Sequence, residues 1–210
     1  MVNVLDKVQP KTKEQLKQLI NYAFKHDIYD LNFIDTSEIT DMSKLFMSCE
    51  YDFDVSSWDV SNVTNMSQMF DFCVNFNCDL SGWDVSNVKN MCQIFYGCIR
   101  LNTDLSVWNV SNVTDMNHMF FCCENFDIKC FESWDVSNVT DMTSMFAFCN
   151  KFDCDLSNWD VSNVTGMYYM FGHCKQFNCD LSHWNTSKVK DMKNMFTGCN
   201  RLTIPDWYKK

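Results

Sequence analysis

The stretch WDVSNVTNMSQMFDFCVNFNCDLSG, residues 58–82, decides the fold of this chain of 210 residues, because it recurs with small changes. Further copies follow at intervals of 25 or 26 residues and begin at Trp83, Trp108, Trp134, Trp159 and Trp184. A degraded copy occupies residues 34–57, and a truncated one occupies residues 207–210. A fixed period of this length predicts a solenoid, in which each winding buries its apolar face against its neighbours.

Two hydrophobic periods alternate inside each copy of this stretch. From Val60 to Cys73, apolar residues recur every three or four positions, which favours a short helix or 3₁₀ turns. From Phe76 to Leu80, they recur at every second position, which favours a short strand with one face turned inward. We therefore predict a parallel-strand repeat solenoid with one short strand and one short helix or 3₁₀ segment in each of about seven windings.

The N-terminal region predicts a cap over the first winding. Thr12 and Gln15 fit a capping box, and the helix predicted after them, over about residues 13–25, is apolar on one face only. The segment Ile28–Phe33 alternates at period two and is predicted to form the first strand. We assign residues 1–33 to this cap, residues 34–206 to the repeats and residues 207–210 to the C-terminal end of the array.

Equivalent positions in successive copies form columns of large apolar residues, which we predict to fill one continuous core. One column contains all seven Trp of the chain. Pairs of Met, such as Met66 and Met69, form a second column. A third column consists of Phe46, Phe70, Phe95, Phe120, Phe146, Phe171 and Phe196.

Most of the thirteen cysteines also fall into columns, which predicts buried thiols acting as small hydrophobes and a reducing compartment. The alternative is a disulfide framework. Cys92, Cys122 and Cys130 lie outside the columns, and Cys92 and Cys122 are predicted to be the most reactive thiols. The first column consists of Cys49, Cys73, Cys98, Cys123, Cys149, Cys174 and Cys199, and the second of Cys78, Cys154 and Cys179.

The chain is acidic, with a formal net charge of −10, and residues 45–187 hold 18 acidic but 5 basic side chains. Such a surface argues against nucleic acid and anionic membranes as partners, and it permits basic proteins or divalent cations. The N-terminus has no apolar segment typical of a signal peptide, and no apolar run is long enough to span a bilayer. These features predict a cytoplasmic protein without membrane insertion.

The first candidate site is an acidic face along the predicted strands, where Asp and Ser recur two residues apart. Stacked carboxylates repel and raise each other's pKa, unless a basic partner, a cation or neighbouring donors offset the repulsion. The alternative is that Asp and Ser only satisfy local turns. A calcium site needs six to eight oxygens around one point, which a linear array does not obviously supply. The candidate binding residues are Asp79, Ser81, Asp104, Ser106, Asp155, Ser157, Asp180 and Ser182, preceded by Asp54 and Ser56 and interrupted near Lys129 and Glu132.

The second candidate site is an aromatic flank on the predicted helical segments, at positions that the core pattern does not require. Neighbouring windings bring these side chains together, and exposed aromatic residues are typical of protein-contact surfaces. The alternative is that they pack between adjacent helical segments. The aromatic flank consists of Phe72, Tyr96, Phe121, Phe148, Tyr168 and Tyr169, with His173 beside them.

Asn-Val-Thr recurs at Asn62, Asn112, Asn138 and Asn163, and each copy matches an N-glycosylation acceptor. The same position is Asn87 in another copy, where Lys89 destroys the acceptor but leaves the asparagine. An asparagine kept where the acceptor is lost indicates a structural role. We predict a ladder of asparagines that bind backbone groups between windings.

The recurring pattern WDVSN-V-T-x-M-x-x-MF-x-x-C-x-x-F-x-x-DLS resembles the BspA-like leucine-rich-repeat surface proteins of bacteria. It is most similar to their subfamily with repeats of 25–26 residues and unknown function, and the likeness covers residues 33–210. The resemblance implies a right-handed solenoid of leucine-rich-repeat type and a binding role, with surface adhesion or host contact in some members. It implies a cell-surface or secreted location as the alternative to the cytoplasm, and no enzymatic activity.

The residues themselves also argue against an enzyme or a metal protein. No Gly-rich phosphate loop, no His-Glu-x-x-His and no nucleophile with a placed base occurs, and the Cys–x₄–Cys spacing lies at the loose edge of structural zinc motifs. We therefore predict a non-enzymatic protein-binding module without a cofactor, which binds its partner through the acidic face, the aromatic flank or both. The alternatives are a bacterial adhesin or host-directed effector, and a structural module stabilised by divalent cations.

Overall fold

The structure is a computed structural model that describes residues 7–126 and 131–209. Within these residues, helix α1 (Lys13–Lys25) is the one helix, and it has the predicted bounds. Thr12 is its N-cap, because the Thr12 side chain accepts a hydrogen bond from the Gln15 backbone N–H at 3.2 Å. The Gln15 side chain accepts from the Lys11 N–H at 2.7 Å, one residue before the N-cap, so only the first of the two bonds of the predicted capping box is formed.

The predicted solenoid of leucine-rich-repeat type is wrong in its secondary structure. No winding in the described part of the chain contains an extended strand or a helical segment. Backbone pairing there consists of isolated parallel bridges, and the rest of each winding is built from turns. The predicted first strand at Ile28–Phe33 is likewise reduced to a single bridge between Asp30 and Asp54.

Parallel bridges nevertheless join successive copies of the sequence in register. They connect equivalent positions 24 to 26 residues apart, so each copy lies directly on the next as one winding of about that length. We number positions within a winding from these bridge residues, which are Asp41, Asn65, Asn90, Asp115, Asp141, Gly166 and Asp191.

We name the eight residues after each bridge the turn segment. Some of its backbone N–H groups donate to carbonyls within the segment, and the others donate to carbonyls of the next winding. In residues 66–73, the N–H groups of Met69, Asp71 and Cys73 donate to the carbonyl three residues earlier. The residues between them donate to the next winding, at every second position. These bonds run from Met66, Gln68, Phe70 and Phe72 to the carbonyls of Asn90, Cys92, Ile94 and Tyr96, over 2.7–2.9 Å.

Two positions in each turn segment have a positive φ, which explains this alternation. A left-handed residue between right-handed ones turns successive N–H groups to one side, where they meet the next winding. Gln68 has a φ of 59° and Phe72 a φ of 56°, and equivalent residues of other windings share this conformation. Helical spacing of apolar residues therefore produces turns here, because a continuous helix does not accommodate a left-handed residue at every fourth position.

The segment predicted as a strand fails to form one because side chains take the place of its ladder partners. The N–H groups of Val55 and Leu156 donate to the sulfur atoms of Cys78 and Cys179 in the next winding, over 3.5 and 3.2 Å. The Leu80 N–H donates to the Thr103 hydroxyl in the same way. A strand requires backbone carbonyls at alternate positions, and these windings supply a thiol or hydroxyl instead.

The predicted core columns are confirmed in the described windings. Phe70 is fully buried and stacks between Phe46 and Phe95, with ring centroids 5.6 Å from each. The first six Trp are 3–4% exposed, and each donates its indole N–H to a carbonyl of the preceding winding, as Trp83 does to Val55. The C-terminal end of the described stack packs less tightly, since Met192 and Trp207 are only partly buried.

Two polar ladders bind the windings together along the same stack. The predicted asparagine ladder is confirmed, because each side-chain amide donates to a serine carbonyl one winding earlier at 2.7–2.9 Å; these residues are Asn62, Asn87, Asn112, Asn138 and Asn163. In the first cysteine column, thiols such as those of Cys73 and Cys98 donate to a Phe carbonyl of the preceding winding. The asparagine ladder satisfies serine carbonyls that accept no backbone N–H of the described residues, whereas each Phe carbonyl of the thiol ladder also accepts the N–H three residues later.

Helix α1 covers the N-terminal end of the stack. Leu16, Ile20 and Ala23 are buried, and the Phe24 ring lies 6.3 Å from the ring of Phe46 in the first winding. Lys13 binds the Asp41 carboxylate at 3.3 Å and fixes the helix to that winding. The core is thus closed at this end.

Candidate functional site

The acidic face lies on the outside of the stack as a series of identical turns. In each turn, one Asp carboxylate oxygen accepts a hydrogen bond from the N–H of the Ser two residues later, at 2.8–2.9 Å. This is an Asx turn, which holds the carboxylate against its own backbone. The five carboxylates are exposed to solvent and belong to Asp54, Asp79, Asp104, Asp155 and Asp180.

The acidic face extends one winding further toward the N-terminus than the sequence predicted. Asp30 accepts from the Asn32 N–H at 3.0 Å and forms a parallel bridge with Asp54, so it occupies the equivalent position one winding earlier, within the segment predicted as the cap. The pairing of Asp with a polar residue two positions later is the signal that identifies it. The interruption predicted at Lys129 lies outside the described residues.

Hydrogen bonds from neighbouring donors lower the pKa of these carboxyl groups and outweigh the predicted mutual repulsion, which is one of the alternatives that the sequence left open. The backbone and hydroxyl of Ser56 lower the pKa of Asp54 to about 2. The equivalent serines lower the pKa of Asp79, Asp104, Asp155 and Asp180 as their largest cause. Repulsion from a neighbouring Asp raises the pKa of Asp79, Asp104 and Asp180, but less than the serine bonds lower it. All five groups are therefore ionised at neutral pH.

Thiols of the second cysteine column line the inner side of this face. The Cys78 thiol lies 3.4 Å from the Asp54 carboxylate, and the Cys179 thiol lies 3.4 Å from that of Asp155. Burial and the adjacent carboxylate raise the pKa of both thiols to about 12. The thiols thus stay protonated and donate to the carboxylates, a role that the sequence reading missed.

Three surface cavities open along the acidic face. One of about 390 Å³ is lined by Asp30, Asp52, Asp54 and Asp79 together with the rings of Tyr29 and Phe53. Cavities of about 440 and 490 Å³ share Asp180 near the other end of the stack. Each offers carboxylates beside apolar or sulfur atoms, which suits the charged head and aliphatic stem of a lysine or arginine side chain.

A second series of Asx turns, which we name the turn column, runs along another side of the stack. Its carboxylates have the same bond to a Ser N–H, at about 3.0 Å for Asp59, Asp84, Asp135 and Asp160. Two windings carry Asn109 and Asn185 in this position and form the same turn. Asparagine therefore replaces aspartate in these turns without loss of the bond.

The aromatic flank forms a continuous row of rings, and it lies on turn segments instead of the predicted helices. Tyr96 has its ring centroid 5.0 Å from that of Phe72 and 4.7 Å from that of Phe121. Phe148 continues the row to Tyr169 and to His173. Phe72 and Tyr168 are 51% and 41% exposed, whereas the other four are half-buried. The rings both pack between windings and present an apolar surface.

The two thiols predicted to be reactive are not activated. Burial raises the pKa of Cys92 to about 11, and burial also raises the pKa of Cys122. A reactive cysteine requires a lowered pKa, so this prediction is wrong for both residues. The twelve cysteines of the described windings are free thiols, and Cys130 lies outside the described residues.

Residues 7–126 and 131–209 hold neither a metal-binding cluster nor a membrane-spanning helix. No group of three or more His, Cys, Asp or Glu side chains there is placed to hold a metal ion. The one helix in this part of the chain is too short and too polar to cross a membrane.

One protein-family model matches the chain. The family is described as "Mycoplasma protein of unknown function, DUF285", and the matches cover residues 14–131 and 123–208. No curated protein and no solved structure matches the chain.

Proposed function

The chain belongs to the Mycoplasma protein family of unknown function DUF285, and from that premise we propose a non-enzymatic protein-binding module. Its acidic face binds a basic partner protein. The observation that carries this proposal is the row of carboxylates that local hydrogen bonds keep ionised and fix at one position in successive windings. Such an array complements a regular series of lysine or arginine side chains.

The resemblance of the repeat to BspA-like bacterial surface proteins supports binding as the function. The cavities beside Asp54 and Asp180 support side-chain recognition over simple attraction between opposite charges. The aromatic flank is the second candidate surface for the same function, because Phe72 and Tyr168 expose rings at its two ends. A partner on that surface would bind through apolar contacts and with little dependence on salt.

Two matched variants test which surface binds. The first replaces Asp79, Asp104, Asp155 and Asp180 of the acidic face with Asn, and the second makes the same change at Asp59, Asp84, Asp135 and Asp160 of the turn column. Both remove four negative charges and retain the Asx turns, as Asn109 and Asn185 do. Each variant and the unaltered protein are used as bait in native lysate at low and at physiological salt, with mass-spectrometric identification.

We expect the acidic-face variant to lose its basic partners by about tenfold or more, and the turn-column variant to keep them. Retention should also fall as salt rises, because charge pairs on an exposed surface are screened. Equal recovery of the same proteins with both variants would reject the acidic face and leave the aromatic flank as the binding surface.

A further inference from the structure

The last described winding has a row of backbone donors without acceptors. In the winding before it, alternate N–H groups donate to the next turn segment over 2.6–3.0 Å; these donors are Met167, Tyr169, Phe171 and His173. The equivalent donors one winding later have no acceptor among the described residues. They are the N–H groups of Met192, Asn194, Phe196 and Gly198.

These donor residues line a cavity of about 660 Å³. Ile204 and Tyr208 add apolar atoms to the same cavity, and Ile204 is 41% exposed. Lys190, Lys193 and Lys209 line the same groove and are exposed, and no carboxylate in the described residues pairs with them. Asp191 is the one acidic residue that lines the groove, and its carboxylate is bound to the Lys193 N–H.

The polarity of the stack excludes a second copy of the chain as a simple occupant. In every described winding, the alternate N–H groups of the turn segment point toward the following winding. If two copies met through their last windings, the N–H groups of one copy would face the N–H groups of the other, and neither set would find an acceptor. At the N-terminal end, helix α1 covers the first winding, which prevents stacking of one copy behind another.

We propose that the groove between residues 190–198 and 204–209 binds an acidic segment of another protein. In the ladder, the equivalent donors meet carbonyls at every second residue of the next turn segment, so the bound segment would offer four carbonyls at alternate residues in the same way. Its acidic side chains would pair with the three lysines, and its apolar side chains would contact Ile204. This groove is thus a second, oppositely charged docking site, distinct from the acidic face.

Hydrogen exchange with a defined probe tests this proposal. The probe is the octapeptide acetyl-(Glu-Thr)₄-amide, and acetyl-(Lys-Thr)₄-amide is its control. We expect the amides of Met192, Asn194, Phe196 and Gly198 to exchange rapidly in the free protein and to become protected by the acidic peptide alone. The equivalent amides from Met167 to His173 should be protected before any peptide is added.

Charge reversal supplies the matched variants. Lys190→Glu, Lys193→Glu and Lys209→Glu together should weaken peptide binding about tenfold or more, whereas Lys7→Glu, Lys17→Glu and Lys25→Glu at the other end should not. Peptide-induced protection at any other surface, or equal affinity in the two triple variants, would overturn the proposal. Equal protection by inorganic phosphate would reduce the groove to a simple anion site, and protection that grows with protein concentration alone would assign it to a second copy.

Discussion

Each carboxylate of the acidic face has its charge state set by residues close to it in the chain. Asp79 repels and is repelled by its neighbours, but the Ser81 N–H bond outweighs that repulsion and lowers its pKa. The Asp and Ser positions were readable from the repeat alone, since they recur at fixed offsets. The direction of the pKa shift was not, because it depends on whether the Ser N–H closes a turn or points into a strand ladder.

Asp71 is the opposite case, and its replacement should stabilise the protein. It is 7% exposed, one of its carboxylate oxygens has no hydrogen-bond partner, and burial raises its pKa. A carboxyl group whose pKa is raised in the folded state stabilises the folded protein at low pH. That contribution is lost as the pH rises through the pKa of the group in the folded state. We expect Asp71→Asn to increase the free energy of unfolding at pH 7 by about 1 kcal/mol, because it removes a poorly compensated charge.

Urea unfolding at several pH values checks this prediction, with Asp79→Asn as the matched control. The control removes a carboxylate whose pKa is lowered, so it should reduce stability at pH 7. Stability of the Asp71→Asn variant should fall less than that of the unaltered protein as pH rises from 4 to 7. A loss of stability at pH 7 in that variant would show that Gln68 and Lys44 compensate the buried charge fully.

The turn segment shows what a hydrophobic pattern determines and what it leaves open. The spacing of Val60, Val63 and Met66 identified the inward-facing side chains correctly, because the core selects for side-chain direction. It predicted the wrong backbone, because left-handed residues such as Gln68 and Phe72 carry no glycine signal in the sequence. In the neighbouring segment, period two again identified the buried side, but the Cys78 sulfur took the place of a ladder carbonyl.

Two windings carry glycine and cysteine at the same left-handed position of the turn segment, and substitutions there test whether that position is left-handed. Gly97 has a φ of 68°, and an added Cβ would lie 2.9 Å from the Phe72 ring, so Gly97→Ala should cost about 1–2 kcal/mol. Cys122 occupies the equivalent position with a φ of 59°. Cys122→Gly should therefore stabilise by up to about 1 kcal/mol, in spite of the entropy that glycine adds to the unfolded chain.

Thermal unfolding of the two variants, compared with Cys92→Gly, separates backbone strain from side-chain loss. Cys92 is half-buried like Cys122, but its φ is not positive, so glycine there brings the entropy cost without relief of strain. We expect the melting temperature to rise for Cys122→Gly and to fall for Cys92→Gly. A fall in both would contradict a left-handed residue at position 122.

At the scale of the whole molecule, the windings are stacked on one another, so each surface charge affects the free energy of unfolding of the whole stack. The windings share a continuous core and a ladder of backbone bonds, so protonation of the acidic face weakens the stack as a unit. Groups whose pKa is lowered by folding stabilise the folded protein at pH values above their pKa in the unfolded chain. That contribution is lost as the pH falls through their pKa in the folded protein. For the acidic face, this window begins at the unfolded value of about pH 4 and extends below it, for Asp54 down to its folded pKa of about 2.

The variant with Asn at Asp79, Asp104, Asp155 and Asp180 should therefore respond less to acid than the unaltered protein. At neutral pH we expect it to be the less stable of the two, because its Asx turns remain but their hydrogen bonds lose the charge on the acceptor. The difference should shrink as pH falls below about 4, since the unaltered carboxyl groups become neutral and resemble asparagine. Asp54 keeps its carboxyl group in both proteins and leaves a residual acid dependence near its pKa of about 2. Urea unfolding at pH 7, 4, 3 and 2 measures this convergence, and a constant gap between the two proteins would mean that the serine bonds do not stabilise the ionised face.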